Sequence, residues 1–139
     1  MPEVAPFTLH EQLKADTYTV TRLALCRVLL LNDSSVPWLI LVPEVPGISE
    51  IHELSILDRT VLMEEISRAS LALQELYAPD KLNIGALGNI VPQLHIHIIG
   101  RYKSDRAWPG PIWGTAPGKP YKPDDVVAVC ARLRERLRQ

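Results

Sequence analysis

Cysteine is scarce in this sequence, and its placement suits neither a disulfide framework nor a metal site. Cys26 and Cys130 are the two cysteines in 139 residues, and they form no C-x-x-C pattern. Reduced thiols in a cytosolic protein are the simplest account of such a pair, so we expect a cytoplasmic location. With 47% hydrophobic residues, the chain is long enough to bury a core without cross-links. We therefore expect one domain over residues 1–139.

Net charge and long apolar runs are also lacking. The formal net charge of -1 argues against a strong nucleic-acid-binding surface, although a small anionic ligand needs only a local positive site. The most apolar stretch, residues 36–45, contains two prolines and Glu44 and is too short to span a bilayer. The first residues include an acid and two prolines where a signal peptide has positive charge and an apolar run. We expect no nucleic-acid partner, no membrane insertion and no leader peptide.

Histidine, in contrast, is concentrated in one segment. Two of the four histidines lie in V-P-Q-L-H-I-H-I-I-G, residues 91–100. Gln93, His95 and His97 alternate there with aliphatic residues at the period of a β-strand. The pattern predicts a strand with a buried aliphatic face and three polar side chains on the opposite face.

The two clustered histidines suit three roles: a polar structural face, a pair of metal ligands, or catalysis by a neutral imidazole. A catalytic imidazole needs one ring nitrogen free to attack and the other held as a donor. The metal role has less support, because H-x-x-E-H and C-x-x-C patterns are missing and no acidic residue lies nearby. His10 and His52 would have to converge on the pair in space. From the residues alone, the three roles remain open.

Capping residues and hydrophobic periodicity predict three helices. Thr8 and Glu11 have the form of a capping box, which predicts a short helix over residues 9–16. Ser55 predicts the start of a long helix that runs to about residue 77, and Pro123 predicts the start of a last helix. The apolar stripes predicted for these two helices are Leu57, Val61, Ile66, Leu73 and Leu76, and Val126, Val127, Val129, Cys130, Leu133 and Leu137.

Strand-forming residues fill the rest of the chain and complete an α+β pattern. Strands are predicted as two segments within residues 18–31, and at 38–42, 82–87 and 93–102. The short Asn-Asp-Ser-Ser turn implies antiparallel pairing. The expected fold is an antiparallel sheet of about five strands with one long helix and shorter N- and C-terminal helices. Residues 103–122 are expected to be an ordered loop, because Trp108 and Trp113 need burial.

The histidine segment Q-L-H-I-H-I-I resembles the H-φ-H-φ-H-φ-φ signature of the histidine triad (HIT) superfamily, where φ is hydrophobic. Further segments follow the order of that family over about residues 23–101: N-D-S-S-V-P-W-L-I-L-V-P, I-S-E-I-H-E-L before the long helix, and L-N-I-G-A-L-G-N-I-V-P. The W-P-G at 108–110 is similar to the tail of the nucleoside-phosphoramidase branch. The resemblance implies a HIT-like fold, and a homodimer is expected.

The resemblance implies cleavage or transfer at the α-phosphate of a dinucleoside polyphosphate or a nucleoside phosphoramidate, without a metal or cofactor. His95 matches the nucleophile, which forms a nucleotidyl-histidine intermediate and passes the nucleotidyl group to water. Its other ring nitrogen is expected to donate to the Gln93 carbonyl. His97 is expected to contact phosphate or the leaving oxygen. Gln93 replaces the first histidine of the triad, so it can form hydrogen bonds but cannot exchange a proton near pH 7.

The family pattern also implies substrate-binding residues, each with a structural alternative. The positions that match family residues near the phosphate are Asn83, Gly88 and Asn89. Asn32 matches a residue that contacts the ribose, and Asp33 is an alternative for that contact. All five residues are also of types that are common in turns. Arg101 would face a distal phosphate, or be an exposed arginine at a strand end. Trp108, like Trp113, would close over the base or the leaving group, or anchor its loop. His52 is expected to cap or pack the start of the long helix.

Two other functions are compatible with the same residues. Because Gln93 replaces a histidine, the domain would bind nucleotides as a sensor without turnover. Alternatively, His95 and His97 would belong to a metal-binding module or a metal-dependent enzyme.

Overall fold

The computed structural model describes residues 5–139 and contains a five-stranded antiparallel sheet in the order β1-β2-β3-β5-β4. The fold class expected from the sequence is confirmed. The strands are β1 Thr17–Arg22, β2 Cys26–Leu31, β3 Trp38–Pro43, β4 Lys81–Gly85 and β5 Ile96–Arg101. The helices are α1 Glu11–Asp16, α2 Ile56–Tyr77 and α3 Pro123–Leu137, with a 3₁₀ turn at Ile51–Glu53 before α2.

The sheet buries side chains on both of its faces. Val28, Leu39 and Ile98 pack on the side covered by α2 and α3. Leu29 and Ile40, which alternate with them along the strands, pack on the opposite side in a second cluster with Leu13 of α1 and Ile112 of the long loop. Strands β3 and β5 are consequently buried over their whole length, which gives the histidine segment a rigid support.

Helix α2 begins where the sequence predicts, but its buried stripe is shifted. The Ser55 hydroxyl accepts from the Asp58 N–H, as expected for an N-cap. The prediction that Leu57 lies on the buried stripe is wrong, since this side chain is 71% exposed. Val127 of α3 is likewise 70% exposed, so its predicted burial is also wrong. The buried stripes are Leu62, Ile66, Ala69 and Leu73 in α2, and Val126, Cys130, Leu133 and Leu137 in α3.

Two predicted boundaries near the site are wrong. Helix α1 is capped by the His10 ring, whose Nδ1 accepts from the Gln12 N–H, and not by Thr8. Strand β5 begins at Ile96, so Gln93 and His95 lie in the preceding loop and only His97 lies on the strand. The physical reason is that Pro92 has no N–H to donate, while the Gln93 carbonyl accepts from a side chain.

Within the described residues, none of the helices is both long and apolar enough to cross a membrane. Cys26 and Cys130 are both buried as free thiols.

Candidate active site

His95 is held with one ring nitrogen available for attack. Its Nδ1 lies 2.7 Å from the backbone carbonyl oxygen of Gln93. Because a carbonyl oxygen only accepts hydrogen bonds, Nδ1 carries a proton, and the lone pair of the unprotonated imidazole lies on Nε2. The side chain is 5% exposed, so the ring is fixed by its surroundings. This is the arrangement that a nucleophilic imidazole requires.

His97 is held in the opposite tautomer. The indole Nε1–H of Trp38 donates to His97 Nδ1 at 3.0 Å, so Nδ1 carries the lone pair and the proton lies on Nε2. Burial, together with the smaller effect of the neighbouring His95, lowers the pKa of His97 to about 4. His97 is therefore neutral at pH 7 and presents a hydrogen-bond donor.

The aromatic rings around the two histidines form a compact group. The ring centroids of His95 and His97 are 4.9 Å apart. The indoles of Trp38 and Trp113 approach His97 at 5.8 Å and 5.6 Å, both in an edge-on arrangement. Ile40 pairs with His97 across β3 and β5, so Trp38, two residues earlier, lies on the same face of the sheet.

His95 lines two clefts of different character. The first, of about 360 Å³, is mainly apolar and includes Leu13, Leu31 and Ile40 in its walls; we call it the apolar cleft. The second, of about 370 Å³, is more polar and includes Ser49 and Glu50; we call it the polar cleft. His97 lines the apolar cleft. A ligand with an apolar ring and a polar tail therefore has a matching surface on each side of His95.

Gln93 lines the polar cleft and holds the N-terminal segment through both ends of its side-chain amide. Its Oε1 accepts from the His10 backbone N–H at 2.9 Å, and its Nε2 donates to the Thr8 carbonyl at 2.8 Å. The chain between these contacts leads into α1, whose Leu13 lines the apolar cleft. The side chain that replaces the first triad histidine thus fixes a wall of the cleft.

We expect Gln93→Ala to weaken binding of a ligand in the apolar cleft more than it slows chemistry at His95. The substitution removes two hydrogen bonds to the segment before α1, each worth about 1 kcal/mol, but leaves the carbonyl that holds His95. A KM raised about tenfold with kcat nearly unchanged is the expected result in steady-state kinetics. Gln74→Ala, on the exposed surface of α2, is the matched control. A large loss of kcat with unchanged KM would contradict this role.

Gly88 and Asn89 lie at the site, as the family pattern implies. Both line the polar cleft, and Asn89 also lines the apolar cleft. A Cβ on Gly88 would meet the Val91 carbonyl oxygen at 3.1 Å, so a larger residue would require the loop to shift. Contact between these residues and a phosphate stays a prediction.

Asn32 and Asp33 line a third cleft next to the apolar one. The side-chain oxygen of Asn32 accepts a hydrogen bond from the backbone N–H of Tyr121 at 2.9 Å. The Asp33 carboxylate pairs with Arg106 at 2.9 Å and packs tightly on Gly118. Both side chains hold loops in place, and their ribose contact stays a prediction.

The prediction that Arg101 ends its strand as an exposed side chain is wrong. Arg101 is 1% exposed, and its guanidinium donates to both Asp105 oxygens, to the Asn83 side-chain oxygen and to the Gly110 carbonyl. Neither Arg101 nor Asn83 lines the clefts described above. The guanidinium nitrogens of Arg101 and the side-chain oxygen of Asn83 form hydrogen bonds within the protein, and the phosphate contacts of these two residues stay predictions.

Of the two tryptophans in the long loop, Trp113 and not Trp108 reaches the histidines. Trp108 lies over the Arg101 guanidinium at 5.9 Å and lines none of the three clefts. Trp113 lines the apolar cleft and packs on Gly85 of β4. Trp38 was missed from sequence, although a correct pairing of β3 with β5 would have placed it beside His97.

Across residues 5–139, no group of three or more His, Cys, Asp or Glu side chains is placed to hold a metal. The ring of His10 caps α1, and His52 is exposed in the 3₁₀ turn, where its carbonyl accepts from Arg59. The metal-binding alternative therefore lacks a ligand set within that part of the chain.

Comparisons with family models and with solved structures agree on one protein family. A family model described as HIT domain matches residues 12–104. A histidine triad protein of Marinobacter aquaeolei is 49% identical, over 97% of this chain and 98% of that one, with a TM-score of 0.94. A histidine triad protein of Bradyrhizobium japonicum is 44% identical, over 96% of this chain and 99% of that one, with a TM-score of 0.92. A histidine triad protein of Sinorhizobium meliloti is 42% identical, over 94% of this chain and 96% of that one, with a TM-score of 0.91. No protein of curated function matches the sequence significantly.

Proposed function

The chain belongs to the histidine triad (HIT) family, and on that basis we propose that it hydrolyses or transfers the nucleoside monophosphate of a dinucleoside polyphosphate or nucleoside phosphoramidate. Proteins of this family generally bind nucleotides and act on them as hydrolases or transferases, although some are non-catalytic. The observation that supports catalysis is the complementary pair of rings: His95 presents a lone pair on Nε2, and His97 presents an N–H.

In the proposed reaction, Nε2 of His95 bonds to the α-phosphorus while the bond from phosphorus to the leaving group breaks. The electron pair of that bond departs with the leaving group. The ring keeps its Nδ1 proton and becomes positively charged, which strengthens its hydrogen bond to the Gln93 carbonyl. Water then bonds to phosphorus, the P–N electron pair returns to Nε2, and a proton is released to solvent. Throughout, the His97 N–H stabilises a phosphate oxygen.

The two clefts suit different parts of the proposed substrate. The apolar cleft, with its wall of Leu13 and Ile40, suits the purine ring of a nucleoside. Gly88 and Asn89, where the polar cleft reaches His95, suit the phosphate and the group beyond it. Asn32 and Asp33 stay candidates for the ribose, because their cleft shares Trp113 with the apolar one.

One observation favours a second function, a nucleotide sensor without turnover. The position of the first triad histidine is occupied by Gln93, and both ends of its amide are used to hold the N-terminal segment. That side chain therefore supplies no proton to the reaction. The clefts would still hold a nucleotide.

Oligomeric state and location are part of the proposal. We expect a homodimer, and the large apolar side chains exposed on α2, among them Leu57, Met63 and Leu71, are consistent with a partner surface. We expect a cytoplasmic protein, consistent with two buried free thiols.

Diadenosine tetraphosphate and adenosine 5′-phosphoramidate, mixed separately with EDTA-treated protein, test the proposal. We expect AMP release from at least one of them and an acid-labile AMP adduct on the peptide that contains His95, detected by rapid-quench mass spectrometry. AMP binding without release or adduct would establish the sensor. Turnover that appears only when a divalent metal is restored would instead establish a metal-dependent enzyme.

A further inference from the structure

A residue outside the histidine segment forms a hydrogen bond with one ring nitrogen of His97 and so determines which of the two nitrogens carries the proton. We propose that Trp38 is a positioning residue that keeps His97 in one neutral tautomer, and that the site is thereby restricted to leaving groups that depart as anions. The inference rests on the proposed function and narrows its substrate class to phosphoric anhydrides and similarly activated phosphate esters.

The contact between Trp38 and His97 is enclosed and well aligned. The two side chains are 5% and 8% exposed, and the Nε1 to Nδ1 distance is 3.0 Å. Ile40 pairs with His97 in the β3–β5 register, which puts Trp38 diagonally across from His97 on the same face. Both residues therefore stand on buried strands, and neither ring can turn without repacking its neighbours.

Protonation of His97 would disrupt this contact. A proton on Nδ1 would place two N–H groups against each other at a distance of 3.0 Å. Loss of the Nε2 proton would leave an anionic imidazolate in a buried site, which is also unfavourable. His97 can therefore donate a hydrogen bond to a phosphate oxygen, but it has no proton to give to a leaving group.

The other groups around the clefts do not replace this missing acid. Gln93 has no titratable proton. Asp33 is paired with Arg106 at 2.9 Å, and Asp16 accepts from the Gln12 side chain at 2.8 Å. Glu50 is exposed at the polar cleft. These carboxylates act as acceptors within the protein or lie in solvent, and His95 itself is the nucleophile.

The consequence depends on the atom that leaves phosphorus. In an anhydride, the P–O bond breaks and its electron pair stays on a phosphate oxygen, which is a stable anion without a proton. In a phosphoramidate, the P–N bond breaks and the nitrogen must gain a proton to leave as an amine. A missing general acid therefore slows the second reaction by about 10²- to 10⁴-fold relative to a site that has one.

Two AMP derivatives that differ in a single bridging atom test the restriction. One joins AMP to 4-nitrophenol through oxygen, and the other joins it to 4-nitroaniline through nitrogen. The wild-type protein should prefer the oxygen-linked compound by about 100-fold or more in kcat/KM. Comparable rates on the two compounds would overturn the restriction while leaving the proposed function intact. Absence of turnover on both would overturn the proposed function and the restriction together.

Trp38→Phe separates the hydrogen bond from the packing of the indole. The variant keeps an aromatic ring but removes the N–H, so His97 should populate both tautomers and titrate at a higher pH. Nitrogen-15 NMR of the labelled imidazole should show an unprotonated Nδ1 and a protonated Nε2 in the wild-type protein and averaged signals in the variant. The preference for the oxygen-linked compound should fall by about tenfold, the value of one hydrogen bond.

Trp113→Phe is the matched control. Trp113 contacts the same ring at 5.6 Å, but its Nε1 has no hydrogen-bond partner within residues 5–139. This variant should change kcat/KM for the two compounds by the same factor. The tautomer of His97 and the ratio of the two kcat/KM values should stay as in the wild type. If both tryptophan variants shift the ratio equally, or if the wild-type spectrum shows Nδ1 protonated, Trp38 does not position His97. The wild-type spectrum decides the tautomer even if Trp38→Phe fails to fold.

Discussion

His95→Asn should abolish nucleotide release while leaving nucleotide binding largely intact. The substitution removes the Nε2 lone pair that attacks phosphorus, and asparagine offers no comparable nucleophile. We expect kcat to fall by about 10⁴-fold or more, since removal of a nucleophile eliminates the covalent route. The side chain is nearly isosteric with part of the imidazole, so AMP affinity measured by calorimetry should change by less than about tenfold.

The control for this variant is His52→Asn. His52 is exposed in the 3₁₀ turn, where its backbone carbonyl accepts from Arg59, and its ring has no hydrogen bond within residues 5–139. It should therefore retain wild-type turnover and the AMP adduct on His95. Persistent turnover by His95→Asn, or an adduct on a different residue, would show that His95 is not the nucleophile.

Asp105→Asn should destabilise the fold by about 3–5 kcal/mol, the usual cost of breaking a buried ion pair. Arg101 and Asp105 are each only 2% exposed in their side chains and lie 2.7 Å apart. The Asp105 carboxylate also accepts from the backbone N–H groups of Tyr102, Ala107 and Trp108. An amide would turn N–H groups toward these donors and leave the Arg101 charge unpaired. Urea unfolding at pH 7 measures the loss.

The same variant should also change the dependence of stability on pH. The hydrogen bond from Arg101 holds the pKa of Asp105 well below its usual range, and the backbone donors of Tyr102 and Ala107 act in the same direction. A carboxyl with a depressed folded-state pKa contributes stability that is complete above its unfolded value, about 3.9, and is lost as the pH falls below it. The wild-type protein should therefore lose this contribution below about pH 4, and Asp105→Asn should show a flatter profile there.

Asp124→Asn serves as the comparison for both measurements. Asp124 is exposed in the first turn of α3, where a negative charge contributes less than about 1 kcal/mol. A loss of stability no larger for Asp105→Asn than for Asp124→Asn would mean that the ion pair does not hold the loop that carries Trp113.

The parts of the fold that depend on local chemistry could be predicted from the sequence. Ser55 caps α2 through its own side chain, and the Asn-Asp-Ser-Ser turn joins two antiparallel strands, so both were readable over a few residues. The start of β5 was not, because the Gln93 carbonyl bonds to the His95 ring and the Gln93 side chain bonds to His10 and Thr8, more than eighty positions away. Strand periodicity carries no information about such contacts.

Some features of the candidate site could likewise be predicted from the sequence, and others could not. The roles proposed for His95 and His97 come from a motif that occupies seven positions, and the family resemblance supplied them. Arg101 was misjudged because its burial depends on Asp105, Asn83 and Gly110 folding around it. Trp38 was missed because its contact with His97 spans 59 positions and exists only once β3 and β5 are paired.

The atom that orients His95 belongs to the main chain of Gln93, and this affects how the protein can diverge. Every amino acid carries that carbonyl, so substitutions at position 93 leave the tautomer of His95 unchanged as long as the backbone keeps its path. A substitution at position 93 therefore acts mainly through what its side chain adds, which here is the attachment of the N-terminal segment. Chains with quite different residues at this position can keep the same orientation of the imidazole, and a motif that demands three histidines would overlook them.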